Sequence, residues 1–287
     1  MPEGDTIFRS ARTLHKALAG SVVTRFETML PRLAGVDEDA PLAGRTVDSV
    51  TARGKWLLMQ FSGDLTLLTH MLMSGSWHIY RPGEKWFLPR SSMRIVLETE
   101  RIVAVCFSVQ VAEFHTARTL ARRPGLAQLG PDLLKPDFDA GTAIANLRAH
   151  PELEIGTALL QQSLLAGVGN VFKSEVCFGV RIHPFRKVAS ISDKELAMIV
   201  ATAERYLRAN IVQSAPDRIV TYTGHRRTTG RGRPQESLWV YGRAGEPCRV
   251  CGSAVEVAKQ QQDARVTFWC PACQPFTAAE TYVDSLS

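Results

Sequence analysis

The chain has 287 residues, of which 45% are hydrophobic and 22% are charged, and its formal net charge is +6. This length is too great for one small domain and suits two domains with a modest appendage. The mildly basic balance permits a polyanionic partner without proving one. No run of about 18 consecutive apolar residues occurs, so the sequence predicts no transmembrane helix.

The N-terminus and the cysteines indicate the compartment. Glu3 and Asp5 stand where a secretory signal peptide needs positive charge and an apolar run, so we expect a cytoplasmic protein. Six cysteines in such a compartment favour a metal site over disulfides. Cys106 and Cys177 stand alone in apolar surroundings and are predicted to be core thiols.

The first predicted element is a helix, and strands follow it. Residues 6–18 have helical spacing, and Gly20 is a plausible end for that helix. Residues 62–64 form a compact turn between two apolar runs, which is typical of a hairpin. The predicted strands span residues 55–61, 65–70, 76–80, 93–98 and 101–107. The pattern predicts an antiparallel sandwich or barrel up to about Gly125.

Helical spacing dominates the middle of the chain. A linker at 129–132 leads into helical patterning over residues 140–214, with one predicted leucine stripe formed by Leu159, Leu160, Leu164 and Leu165. Residues 224–233 then contain four arginines, three glycines and no acid. We predict a loop there that phosphate would order, and a solvated surface loop is the alternative.

Four cysteines near the C-terminus form two Cys-x-x-Cys pairs. Cys248 and Cys251 are separated by eighteen residues from Cys270 and Cys273. Two such pairs on a β-hairpin are the pattern for tetrahedral zinc, and paired disulfides or redox dithiols are the alternatives. Four thiolates close the coordination shell, so we expect one structural zinc ion and no catalytic metal.

Three motifs in chain order resemble the formamidopyrimidine-DNA glycosylase/endonuclease VIII family. Residues 1–4 opening into a helix look like the N-terminus of endonuclease VIII. Residues 155–175 resemble the family's helix–two-turns–helix, and residues 239–248 resemble the approach to its zinc finger. The three motifs occur in the family's order and cover nearly the whole chain, so together they are specific for this family.

The resemblance implies an α+β fold with three parts. These are an N-terminal β-sandwich with a leading helix over residues 1–129, a helix–two-turns–helix domain with a basic loop over 130–235, and a zinc-ribbon β-hairpin over 236–287. It also implies a bifunctional DNA glycosylase and abasic-site lyase of base excision repair, without a redox cofactor. The expected partner is damaged DNA, duplex or single-stranded, and we expect a monomer associated with the nucleoid.

The resemblance assigns three catalytic residues. Pro2 corresponds to the nucleophile, whose secondary amine becomes available once Met1 is removed and forms an iminium ion with the sugar. Glu3 resembles the carboxyl that transfers protons to the sugar. An acid at a helix start also stabilises the helix by interacting with its dipole, and both roles can hold at once. Lys55 matches a strand lysine that holds a phosphate or transfers protons. Taken alone, Pro2 reads as a tolerated second residue at a helix start.

Other residues resemble the family's DNA contacts. Asn170, after a Gly-Val-Gly turn, and Arg265 resemble the clamp on the phosphate beside an everted nucleotide. Met73 resembles the wedge that fills the gap in the duplex, with Leu72 as the alternative, although apolar residues at a strand end are more often core. Glu175 resembles a family carboxylate near the active site.

The sequence departs from the family pattern in three places. Thr6 stands where a second acid is expected, and Arg181 replaces a common glycine. A loop of sequence Asp-Pro-Arg-Arg-Phe-Gly is missing, with residues 115–123 in its place. That absence favours the endonuclease VIII branch and, with it, oxidised pyrimidines over 8-oxoguanine.

Two other classes of function compete with this interpretation. A catalytically silent damage sensor would keep the clamp and the ribbon but would never cut DNA. Thr6 favours this rival slightly, whereas Pro2, Glu3 and Lys55 together weigh against it. A zinc-ribbon adaptor that recognises protein would leave the glycine-rich turn before Asn170 unexplained.

Overall fold

The computed structural model describes residues 2–212, 221, 237–260 and 265–276. The basic loop predicted over residues 224–233 lies outside the described residues. The chain divides into two compact units, Met1–Gln128 and Leu129–Ser287. Within the described part of the chain, no helix has the length and hydropathy needed to cross a membrane.

The first unit is a β-sandwich with helices at its edges. Its helices are α1 (Gly4–Leu18), α2 (Pro31–Asp39) and α3 (Ala117–Leu120). Its strands are β1 (Val23–Thr28), β2 (Val47–Arg53), β3 (Trp56–Phe61), β4 (Leu65–His70), β5 (Ser76–Tyr80), β6 (Met93–Thr99), β7 (Val103–Phe107) and β8 (Val111–His115).

Two four-stranded antiparallel sheets form the sandwich. One has the strand order β1-β6-β7-β5 and the other the order β2-β3-β4-β8. The β3–β4 hairpin pairs Phe61 with Leu65 beside the predicted turn and Trp56 with His70 at its open end. Apolar side chains from both sheets share one buried core, which confirms the predicted sandwich with its leading helix.

Helix α1 packs on β2 because its apolar residues recur on one face. Ile7, Leu14 and Leu18 are each at most 1% exposed, and burying each such side chain stabilises the fold by about 1.5–3 kcal/mol. His15 completes the contact by accepting a hydrogen bond at Nδ1 from the Val50 amide (3.1 Å). The chain then leaves the helix through Gly20, whose φ of 80° favours glycine.

The second unit combines helices with a two-stranded hairpin. Its helices are α4 (Ala140–Arg148), α5 (Ile155–Ala158), α6 (Asn170–Gly179) and α7 (Asp193–Asn210), and its strands are β9 (Glu256–Gln260) and β10 (Arg265–Trp269). Helix α7 begins with a capping box, because the Ser192 hydroxyl accepts from the Glu195 amide while Glu195 accepts from the Ser192 amide. The sequence predicted helices and a hairpin in this part, and both are present.

The predicted leucine stripe is wrong as a helical feature. Helix α5 ends at Ala158, and three of the four leucines are buried in the turns that follow: Leu159, Leu164 and Leu165. The Gln162 side chain holds these turns by donating to the carbonyls of Leu160 (3.0 Å) and Val168 (2.9 Å). It also accepts from the Gly167 amide (3.0 Å), so the turn has bonding partners that do not require a helix.

Candidate active site and nucleic-acid interface

Pro2 and Glu3 lie together at the start of α1. Pro2 is half-buried, and the Glu3 side chain is fully buried with its backbone extended (φ −113°). The Glu3 carbonyl accepts the first helical bond, from the Ile7 amide (3.0 Å). Its carboxylate does not cap the amides of the first turn, so its burial beside Pro2 is not explained by helix capping.

Asp5 supplies a buried acid that sequence reasoning passed over. Thr6 stands where the family acid was expected, and its hydroxyl donates to Asp5 Oδ1 (3.3 Å). Asp5 Oδ2 lies 3.8 Å from an Arg9 guanidinium nitrogen and is buried without a hydrogen-bond partner among the described residues. Burial raises the pKa of Asp5, and the nearby Arg9 opposes that shift.

Lys55 lies in a turn at the open end of the β3–β4 hairpin. We expected it to begin a strand, but β3 begins at Trp56, and Lys55 forms a two-residue turn with Gly54, whose φ is 55°. The pKa of His70 falls to about 4 through burial and then through the charges of Lys55 and Arg123. Lys55 and His70 therefore lie close enough to interact electrostatically, and His70 is neutral at physiological pH.

The loop after His70, which we name the wedge loop (residues 71–75), projects apolar side chains. Met73 is 68% exposed and Leu72 is 38% exposed, whereas Met71 is 4% exposed and belongs to the core. The Gly75 amide donates to the Met71 carbonyl (2.8 Å), and a Cβ on Gly75 would lie only 2.7 Å from that same oxygen. The loop is thus held tightly at its base while Met73 stands in solvent.

The connection between β7 and β8 lies beside the wedge loop. It contains only residues 108–110, and the Ser74 hydroxyl lies 3.5 Å from the Ser108 carbonyl. The segment 115–123, which the sequence placed where the family loop is missing, instead ends β8 and forms α3. The Thr116 hydroxyl caps α3 by accepting from the Thr119 amide (3.3 Å), so this segment is regular structure.

Arg123 connects that segment to the hairpin that carries Lys55. It donates two hydrogen bonds to Glu113, each of 3.0 Å, and its guanidinium lies 4.1 Å from the centre of the Trp56 ring. The Arg123 hydrogen bonds, helped by a hydrogen bond from His115 and opposed by burial, lower the pKa of Glu113 to about 2. Trp56 in turn meets the His70 ring edge-on at 4.6 Å, which fixes the surroundings of that histidine.

In the second unit, Asn170 and Arg265 are brought to one place. Asn170 is the first residue of α6 and is 4% exposed. Its Nδ2 donates to the Val266 carbonyl (3.0 Å), and Val266 directly follows the exposed Arg265 at the start of β10. Asn170 Oδ1 is buried without a hydrogen-bond partner among the residues described.

A buried lysine fixes α6 to the hairpin. Lys173 is fully buried and donates to Thr267 Oγ1 (2.6 Å) and to the Val266 carbonyl (3.5 Å). Thr267 then donates to Gln260 Oε1 (2.9 Å), which extends the network across both strands. The only sequence signal for Lys173 is its charge within the otherwise uncharged run of residues 170–174.

Glu175 anchors the segment that leads to the cysteine hairpin. It is fully buried and accepts from the amides of Trp239 (2.8 Å), Val240 (2.9 Å) and Tyr241 (2.9 Å), as well as from the Thr221 hydroxyl. Burial raises the pKa of this carboxyl, and the four hydrogen bonds oppose that shift. These contacts give Glu175 a structural task that its resemblance to an active-site carboxylate did not predict.

Arg181 occupies a glycine-like position after α6. Its φ is 60°, in the left-handed region that favours glycine. Its guanidinium lies 4.4 Å from the centre of the Phe178 ring, so the side chain gains a stacking contact on the helix it follows. This contact explains how an arginine is accommodated here.

The four cysteines fit a tetrahedral zinc ion. Their sulfur atoms all lie within 4.8 Å of one another, with 3.9 Å between Cys248 and Cys273 and 3.4 Å between Cys251 and Cys270. A Zn–S bond of about 2.3 Å in a tetrahedron requires sulfur pairs about 3.8 Å apart. The donors and their spacing therefore suit zinc.

Comparisons with known proteins cover the chain in three parts. Family models match residues 1–122 (Formamidopyrimidine-DNA glycosylase N-terminal domain), 129–218 (Formamidopyrimidine-DNA glycosylase H2TH domain) and 245–275 (Zinc finger found in FPG and IleRS). The fold is similar to that of Lactococcus lactis Fpg in a complex with abasic-site DNA, with a TM-score of 0.80, 22% identity and coverage of 96% of this chain and 100% of that one.

Curated relatives match along nearly their whole length. "Probable endonuclease 8 2" of Streptomyces coelicolor is 44% identical, with 96% of this chain and 94% of the relative covered. "DNA-(apurinic or apyrimidinic site) lyase Nei2" of Mycolicibacterium smegmatis is 38% identical, with 96% and 99% covered. The chain belongs to the formamidopyrimidine-DNA glycosylase/endonuclease VIII family of DNA glycosylases and abasic-site lyases.

Proposed function

We propose that this chain excises oxidised pyrimidines from DNA through a covalent Pro2 adduct and then nicks the strand by β,δ-elimination. The observation that carries the proposal is the pairing of a half-buried Pro2 with a fully buried Glu3 at the start of α1, in a chain of this family. Removal of Met1 exposes the Pro2 amine. The preference for pyrimidines rests on the missing Asp-Pro-Arg-Arg-Phe-Gly loop, which favours the endonuclease VIII branch, and relatives named endonuclease 8 support that branch.

The chemistry follows from a secondary amine beside a carboxyl. The Pro2 nitrogen attacks C1′ of the sugar, the glycosidic bond breaks with its electron pair leaving on the base, and the departing base takes up the proton that the Pro2 nitrogen loses. Glu3 donates a proton to the ring oxygen, the ring opens, and the adduct becomes an iminium ion. The Glu3 carboxylate left by that transfer accepts a C2′ proton as the C3′–O bond breaks and the 3′ phosphate leaves, and loss of a C4′ proton to water then expels the 5′ phosphate.

The remaining residues hold the substrate. Lys55 carries positive charge at the open end of the β3–β4 hairpin and binds a phosphate of the damaged strand. Asn170 and Arg265 bind the phosphate beside the everted nucleotide, with Arg265 suited to paired contacts with phosphate oxygens. Met73 fills the space that the everted nucleotide leaves in the duplex.

The metal and the assembly complete the proposal. One zinc ion on the four cysteines is structural, and the chemistry uses no redox cofactor. The chain acts as a cytoplasmic monomer on damaged DNA. Functionally it divides at about residues 129 and 235, although the hairpin of the third part shares its buried network with α6.

Borohydride trapping on a duplex with one abasic site tests the mechanism. The processed protein is compared with a form whose N-terminus carries an uncleavable extension and with Lys55→Met. We expect an adduct that mass spectrometry locates on Pro2, lost with the extension and kept in Lys55→Met. Processed protein that binds this duplex but yields neither adduct nor nick would instead be a silent damage sensor.

The lesion preference needs a separate measurement. Single-turnover excision rates are compared on otherwise identical duplexes that carry one oxidised pyrimidine or one 8-oxoguanine. We expect the pyrimidine lesions to be excised faster. Faster excision of 8-oxoguanine would contradict the proposed preference and leave the lyase mechanism intact.

A further inference from the structure

A pocket of about 480 Å³ lies in the second unit, between the zinc hairpin and the segment after α6. Its walls include the rings of His183, Phe185, Trp269 and Phe276. His183 stacks on Phe276 at 4.6 Å and meets Trp269 edge-on at 5.2 Å, so the rings form one packed wall. A pocket of this size is within the range that binds small ligands or a peptide side chain with its neighbours.

Two carboxylates line this aromatic pocket, and neither belongs to the site described above. Glu256 is exposed on β9, directly opposite Trp269 in the register of the hairpin. Glu154 is half-buried and is positioned by Gln260, whose amide donates to Glu154 Oε2 (2.8 Å). The described lining includes no lysine or arginine, so the pocket is locally acidic in a chain of net charge +6.

Aromatic rings beside two carboxylates favour the binding of a planar cation. Carboxylates repel the phosphates of nucleic acid, which argues against a second DNA contact here. A guanidinium group stacks on aromatic faces and pairs with carboxylates at the same time, whereas an ammonium group offers no plane to stack. We propose that the pocket binds an arginine side chain presented by a protein partner.

Fluorine NMR on the full-length zinc-loaded protein labelled with fluorotryptophan tests this inference. The probe is the capped tripeptide Gly-Arg-Gly, and its twin carries citrulline, which has the same shape without the charge. We expect the arginine probe to shift the Trp269 signal saturably in the millimolar range, and the citrulline probe to leave it unchanged. The Trp269 signal is assigned by its loss in Trp269→Phe. Should that variant not fold, each of the other four tryptophans is replaced in turn, and the signal that remains in all four variants belongs to Trp269.

A matched pair of variants checks the charge. Glu256→Gln should weaken binding of the arginine probe about threefold or more. Glu152 is an exposed acid outside the pocket lining, so Glu152→Gln should leave the affinity for the probe unchanged. Abasic-site nicking should be unaltered in both variants. The inference is overturned if the citrulline probe shifts Trp269 equally, if neither peptide gives a saturable shift, or if an oligothymidine shifts it and the arginine probe does not.

Discussion

Replacing Glu175 by glutamine changes one atom in a fully buried network. Oε1 accepts from the amides of Val240 and Tyr241, and Oε2 accepts from the amide of Trp239 and the hydroxyl of Thr221. The glutamine oxygen best replaces Oε1, because the Thr221 hydroxyl can turn to accept from the new NH₂ group. The Trp239 amide then faces another donor, and one buried donor without an acceptor costs about 1–3 kcal/mol.

Chemical and thermal unfolding measure this cost directly. A fall in the free energy of unfolding by that amount lowers the melting temperature by about 2–4 °C per kcal/mol for a unit of this size. The matched control is Glu204→Gln, whose carboxylate pairs with Arg208 on the surface of α7 and should matter by less than about 1 kcal/mol. Unchanged stability together with lost strand cleavage in Glu175→Gln would refute the anchoring role and make Glu175 a participant in the chemistry.

Three further predictions concern the remaining parts of the two units. NMR titration should give His70 a pKa near 4, below its usual 6.5. The unfolded chain then binds a proton at His70 that the folded chain does not, so the free energy of unfolding decreases as pH falls from 6.5 to 4. Lys55→Met should raise the pKa of His70, and an unchanged pKa would contradict the interaction between the two residues. Met73→Ala should leave the free energy of unfolding, measured in urea, within about 0.5 kcal/mol of the parent value. The same change should weaken binding to an abasic-site duplex about fivefold or more, and equal affinity would exclude the wedge role. Cys251→Ser should lower both the zinc content and the melting temperature, and full metal retention would show that three thiolates suffice.

Local patterns predicted the parts of this molecule whose structure depends on neighbours in sequence. The face of α1, the β3–β4 hairpin and the two cysteine pairs each repeat a spacing that one element imposes. Strand β2 and helix α2 were missed because their patterns are weak. Val47–Arg53 carries polar residues between its buried positions, and Pro31–Asp39 has a single buried residue, Leu33.

Tertiary bonding decided what sequence patterns could not. The turns after α5 are held by backbone bonds, such as those from the Leu164 and Leu165 amides to the Gln161 carbonyl, and by the Gln162 side chain, which the leucine spacing could not reveal. The burial of Lys173 and of Glu175 could not be predicted from sequence, because a charged residue in a helix is usually solvated. Their partners lie more than 40 positions away in sequence, so only the folded chain identifies them as buried anchors.

The wedge loop separates the residues that hold its shape from the side chain that it exposes most. Gly75 and the Met71 backbone fix the base of the loop, and no larger side chain fits at Gly75 without moving that backbone. Met73 is 68% exposed, so changing it costs the fold little, whereas Leu72 is 38% exposed and has a φ of 48°, which restricts the residues that can replace it. The side chain at position 73 can therefore change without rebuilding the base of the loop, so its size and its chemistry are set independently of fold stability.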